Sequence, residues 1–224
     1  MTSINNLKKI EYLNGANLAL ENAKAHLDVA NLSAKSKHYG IASSLLILSI
    51  EELAKACALR LKSINNNIPV NNLEKYFKNH KIKQKSIIQI FYSSLGFSIE
   101  KGEIKIEKKE AYVIVFVIII AIIYSYTNKN KTINPKSEYD KIKESGFYFS
   151  YCEVNRKWIS PQENYDIKNF KPFKESIDDL FEIIELNLFG DKINESNIIE
   201  FAESMDNVID QKQLAKLKAT INKG

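Results

Sequence analysis

An apolar run from Ile41 to Leu59 is interrupted by Glu51, Glu52 and Lys55, and this small charged island constrains the fold more than any other feature of the chain. Two carboxylates and an ammonium stranded among apolar side chains cost on the order of several kcal/mol per ion. The island therefore needs a partner or an aqueous cleft. Projected at 100° per residue, a helix from about Gly40 to Ser63 has Leu45, Leu46, Ile50, Leu53, Ala56 and Cys57 on its apolar arc. Glu52 falls at the edge of that arc. Glu51 and Lys55 fall opposite it with Ser44 and Lys62, spaced as an acid-before-base i,i+4 surface pair.

Helical periodicity extends on both sides. From about Tyr12 to Lys37, Leu13, Ala16, Leu20, Ala23, Leu27, Ala30 and Ala34 make a narrow seam whose alanines let a neighbouring helix come close. His38-Tyr39-Gly40 reads as the turn, and Asn65-Asn66-Asn67-Ile68-Pro69 as the stop of the second helix. A third helix is expected from near Asn72 to about Leu95, with Leu73, Phe77, His80, Gln84, Ile87 and Phe91 on one stripe. Lys105 to Tyr126 reads as a greasy core helix. Its apolar stretch, 111–124, spans about 21 Å as a helix, short of the roughly 30 Å of a bilayer core. Membrane association of this stretch is the lesser alternative.

Residues 127–172 turn to Lys, Asn and aromatics and read as an inserted loop carrying a short aromatic β-hairpin. Helical spacing returns at Ile177, Leu180, Phe181, Ile184 and Leu188. A C-terminal helical extension over 191–224 follows, with a capping box at Asn197 and Glu200. The expectation is one all-α domain over 1–224 with few turns, in keeping with only 7 Gly and 4 Pro.

The net charge of +5 allows contact with an acidic polymer such as RNA without requiring it, since Lys supplies all but Arg60 and Arg156 of the 32 basic residues. Cys57 and Cys152 lie far apart with no CxxC pattern, so free thiols in a reducing compartment are expected. The first residues hold no apolar export segment, and the expected location is the cytoplasm. His26 and His38 are too dispersed to form a metal site with Glu51 and Glu52; neither metal nor cofactor is expected.

Three segments, taken in order, resemble the AbiV-type abortive infection proteins of the HEPN superfamily. They are Glu51-Glu52-Leu53-x-Lys55, Phe77-x-x-His80-x-x-Lys83, and Gly146-x-Tyr148 followed by Trp158-x-x-Pro161. The resemblance covers roughly residues 12–190. It implies an all-α HEPN-like bundle, a homodimer, and a role in antiphage defence. Better-known relatives cut RNA through an Arg-x(4 to 6)-His motif. Here the nearest match is Lys75 to His80, which keeps a charge but lacks the planar fork that grips phosphate. On an unbroken helix those two side chains would point about 140° apart.

Metal-free RNA cleavage needs a base for the 2′-hydroxyl, an acid for the departing oxygen and a cation for the phosphorane. His80 is the candidate acid or base, Lys55 or Lys83 the cation, and Glu52 the group that orients the imidazole. Glu51, Lys75, Tyr148 and Trp158 are candidate binding residues, the aromatics by stacking on bases. The plainer alternative is a structural His80 bonded to Glu52, with Glu51 and Lys55 as an ordinary surface pair. Expected partners are a second copy, RNA, and a phage-encoded or host trigger protein; DNA and membrane are not. The rival function is a non-catalytic module that sequesters a translation or phage component.

Overall fold

Alanine at every seventh position shapes the first long helix. Ala16, Ala23 and Ala30 are wholly buried, and each leaves room for a neighbouring helix to approach closely. A computed structural model of the chain describes residues 4–70, 73–78, 83, 138–163, 165–190 and 215. Its elements are a 3-10 turn at Ile4–Asn6, α1 (Lys9–Lys35), α2 (Tyr39–Ile64), α3 (Leu73–Lys78), α4 (Glu138–Phe147), strands β1 (Ser150–Cys152) and β2 (Lys157–Ile159), and α5 (Ile167–Ile184), which continues as a π-helix at Glu185–Phe189. The protein is mostly helical, with one small sheet among the described residues.

Two compact units are distinguished. One holds the start of α1, α2 from Glu51 onward, α3 and the chain from Leu180. Here α1 and α2 run antiparallel: a Cβ on Gly15 would sit 3.2 Å from Leu59 Cδ1, and the Lys62 ammonium lies 5.8 Å from the centre of the Tyr12 ring. Tyr12 donates to the Ile4 carbonyl at 2.7 Å, and the Asn66 amide donates to the Leu7 carbonyl at 3.0 Å, tying the N-terminal turn to the end of α2. The Asn65 side chain accepts from the Asn67 amide at 2.8 Å, so the asparagine run closes α2 as its composition predicts.

The other unit holds residues 22–50 and the described chain from α4 to Asp179. Its core gathers Ile47, Ile142 and Tyr165 with Tyr39 and Phe173. Each such side chain contributes roughly 1.5–3 kcal/mol on burial. Ser49 donates to the Ala23 carbonyl at 2.7 Å, joining α2 to α1. Gly40 and Gly146 meet so closely that a Cβ on Gly146 would lie 2.2 Å from the Gly40 oxygen and 2.1 Å from Ser44 Oγ. Only hydrogen fits there.

Several expectations need correction. Tyr39 and Gly40 belong to the first turn of α2; the turn is Ser36 to His38, where Lys37 takes φ 64° and the His38 amide reaches back to the Ser33 carbonyl at 2.9 Å. Residues 127–172 do carry the hairpin, but the described ones are not otherwise all loop. Helix α4 lies inside them, and α5 begins before Pro172 because the Asp166 side chain caps the Asn169 amide at 2.9 Å. Ser44, expected on a surface face, is fully buried and donates to the Lys143 carbonyl at 2.8 Å in the last turn of α4. Among the described residues no helix is long and apolar enough to cross a membrane. The run 111–124, most of the expected third helix and the extension over 191–224 lie outside the described residues, apart from Lys83 and Ala215.

Candidate functional site

Helix α2 is buried over most of its circumference past its midpoint: Leu53, Ala54, Ala56, Cys57, Ala58 and Leu61 are wholly inaccessible, over more than half of the wheel. A helix enclosed in this way has only a narrow wetted strip on which to park a charge. Glu51 is consequently buried, with 2% of its surface exposed, and Lys83 at 4% meets its carboxylate, Nζ to Oε2 3.2 Å. A bare carboxylate there would be untenable, and the lysine neutralises it.

The expected Glu51–Lys55 pair is therefore replaced. Lys55 bonds Glu52, one turn back at i,i+3, and both remain partly open to water, at 15% and 19% exposure. The Lys55 ammonium also stands over the ring of Phe77 in α3, 5.7 Å from its centre. Phe77 was expected on a buried stripe with Leu73; Leu73 is buried, but Phe77 is exposed and forms a wall of this polar patch. The island thus divides into an interior ion pair, Glu51–Lys83, and a surface cluster, Glu52–Lys55–Phe77.

His80, the expected acid or base, lies outside the described residues, and so does the side chain of Lys75, whose backbone is in α3. Tyr148 and Trp158 belong to the unit that carries the hairpin and stand largely in water there, at 69% and 65% exposure. Tyr148 follows the last residue of α4 and meets Phe147 edge to face at 6.4 Å; it is not part of the ladder. Trp158 is in β2, paired with Tyr151 across the antiparallel strands.

One functional-looking side chain escaped the pattern reading. Arg60 sends its Nε–H to the Leu188 carbonyl at 2.7 Å and lays its guanidinium 5.8 Å from the centre of the Phe189 ring, anchoring the π-helix to α2. Burial lowers its pKa from the ordinary guanidinium value. Its signal was composition: a lone arginine among lysines, at a place where a planar fork can bond and stack at once. Cys57 and Cys152 are free thiols, and burial pushes the Cys57 thiol well above the usual range.

Among the described residues no three His, Cys, Asp or Glu side chains converge in a way that could hold a metal ion. What the surface cluster offers is a carboxylate, an ammonium and an aromatic ring at one partly wetted spot. Such a set can accept a proton, steady a negative charge, or hold a polar ligand against a ring face.

The family model for AbiV, of the HEPN class, matches residues 11–176, well over half of the chain. No curated protein and no solved structure gives a significant match. The matched span takes in both halves of the island and the aromatic hairpin, on a helical scaffold of the kind the family implies. The chain therefore belongs to the AbiV family of HEPN proteins, a membership that suggests a role in abortive infection.

Proposed function

We propose that this protein carries out antiphage abortive infection by acting on RNA or on translation once infection is sensed, with the Glu52–Lys55–Phe77 cluster as its reactive patch. The observation that carries the reading is the unequal fate of two neighbouring carboxylates: Glu51 is spent inside the molecule on Lys83, while Glu52 stays at the surface beside a cation. Glu51 and Lys83 then serve as scaffold. In metal-independent RNA cleavage Glu52 would take or orient the proton of the 2′-hydroxyl, Lys55 would steady the phosphorane charge, and His80 is the residue the sequence offers as acid. The active species on this reading is a homodimer, released by a phage-encoded or host trigger.

A second reading, sequestration of a translation or phage component without cleavage, draws support from one contact. Glu52 and Lys55 bond each other directly, which satisfies both charges and lowers the reactivity of each. Incubating the purified protein with total RNA, alone and with extract from phage-infected cells, separates the two. Cleavage that Glu52→Ala and His80→Ala abolish supports the first; intact RNA under every condition, with infection still aborted, supports the second.

A further inference from the structure

Phe149, Tyr151 and Trp158 share one face of the β1–β2 hairpin. Tyr151 stands across the ladder from Trp158 with ring centres 5.2 Å apart, and Phe149 reaches the same indole at 5.3 Å, both edge to face. Such contacts occupy part of each ring and leave the rest in water: Phe149 and Tyr151 are 69% and 49% exposed, and Trp158 is comparably open. Beside them, in the connecting turn, Arg156 holds φ 49°, a backbone region that glycine or asparagine enters more readily. Arg156 is exposed and makes no ion pair among the described residues, whereas the adjacent Lys157 is held by Glu163 at 3.2 Å.

Aromatic side chains of about 200 Å² each, exposed to this extent, together offer roughly 400 Å². One side of a stable protein–protein interface presents about 800 Å². The patch is too small for a protein partner on its own, but it suits two or three stacked nucleotides, with an uncommitted guanidinium placed to take a phosphate. We infer that this hairpin face binds an unpaired strand of RNA, bases stacking on Tyr151 and Trp158 and Arg156 taking a neighbouring phosphate. The inference rests on the reading that the protein acts on RNA, and it supplies that reading with a substrate class, single-stranded rather than duplex.

Trp158 is the chain's only tryptophan, so its emission reports this face alone. Titrating the full chain with an oligouridylate of about ten nucleotides should quench it saturably. Tyr151→Ala should weaken binding roughly 5- to 100-fold. Arg156→Gly relieves the backbone while removing the cation, so it should weaken binding and lower the log–log salt slope by about 0.7 with no loss of urea resistance. An unquenched Trp158, parental binding by both variants, or equal quenching by a duplex of the same length overturns the inference. So does a ribonuclease-resistant complex with a protein from infected extract that shifts Trp158 emission to the blue, which assigns the face to a protein partner instead. Quenching by oligouridylate with RNA and protein synthesis unchanged in infected cells would keep the stacking face and remove the proposed function. RNA attack by a chain whose Trp158 stays unquenched would do the reverse.

Discussion

Lys83 Nζ and Glu51 Oε2 lie 3.2 Å apart with both side chains almost completely shielded from water. Removing the ammonium takes a charge-neutralising partner from a carboxylate shielded from water, so Lys83→Met should cost up to about 3–5 kcal/mol. The double replacement Glu51→Leu/Lys83→Met should recover most of that loss, because two apolar side chains replace two charges that each had to be desolvated. Urea unfolding of the three proteins measures both steps. A double variant no more stable than Lys83→Met would contradict this account of the pair.

The neighbouring pair behaves differently. Glu52 and Lys55 are partly solvated, and such ion pairs contribute little, so Glu52→Gln should lower stability by less than about 1 kcal/mol. Protection of cells against phage should nevertheless fall. A plaque assay beside a urea midpoint decides the matter: loss of protection with the midpoint retained is expected, and parental protection would remove Glu52 from the proposed mechanism.

Two helical glycines should respond in opposite ways to alanine. At Gly146 the new methyl would lie 2.2 Å from the Gly40 carbonyl oxygen, and backbone cannot step aside cheaply; a loss of about 3 kcal/mol is expected. At Gly15 the obstacle is the tip of Leu59, 3.2 Å away, which can rotate. The gain in helix propensity there is up to about 1 kcal/mol, so Gly15→Ala should be neutral or stabilising. Thermal midpoints of the two variants give the comparison.

Cys57 makes stability depend on pH. Burial raises its thiol pKa in the folded chain, whereas the unfolded thiol titrates near its usual value of about 8.5. Below that value both states hold the proton and the group has no effect. Above it the unfolded state releases a proton that the folded state keeps, and stability falls by up to about 1.4 kcal/mol per pH unit. Urea midpoints at neutral and alkaline pH should diverge less in Cys57→Ala than in the parent. Alkylation at mildly alkaline pH should label the half-buried Cys152 in the folded protein, and Cys57 only after unfolding.

Much of the scaffold was legible from local patterns. The alanine seam of α1, the bounds of α2 to within a residue or so and the aromatic hairpin each follow from periodicity or turn chemistry carried within the segment itself. Helix α4 was not legible, because its anchors are distant: Ser44 donates to the Lys143 carbonyl at 2.8 Å, and Tyr165 donates to the Ile142 carbonyl at 3.1 Å. The early start of α5 has a local signal, the Asp166 cap, but Pro172 lies inside the helix, where proline removes a backbone donor and locally argues against helix.

By itself the sequence determined that Glu51, Glu52 and Lys55 would interrupt an apolar helix and that these charges would need either a partner or an aqueous cleft, since water and apolar side chains compete for the same surface. Which carboxylate went inside was decided only by the tertiary structure. A helical wheel assumes one buried side and one wet one, but α2 is enclosed over most of its circumference, so its charges were sorted by what packs against them: Lys83 reached Glu51, and Phe77 stood beside Lys55. The burial of a charge depends on the free energy of its whole surroundings, and those surroundings are assembled from residues far along the chain.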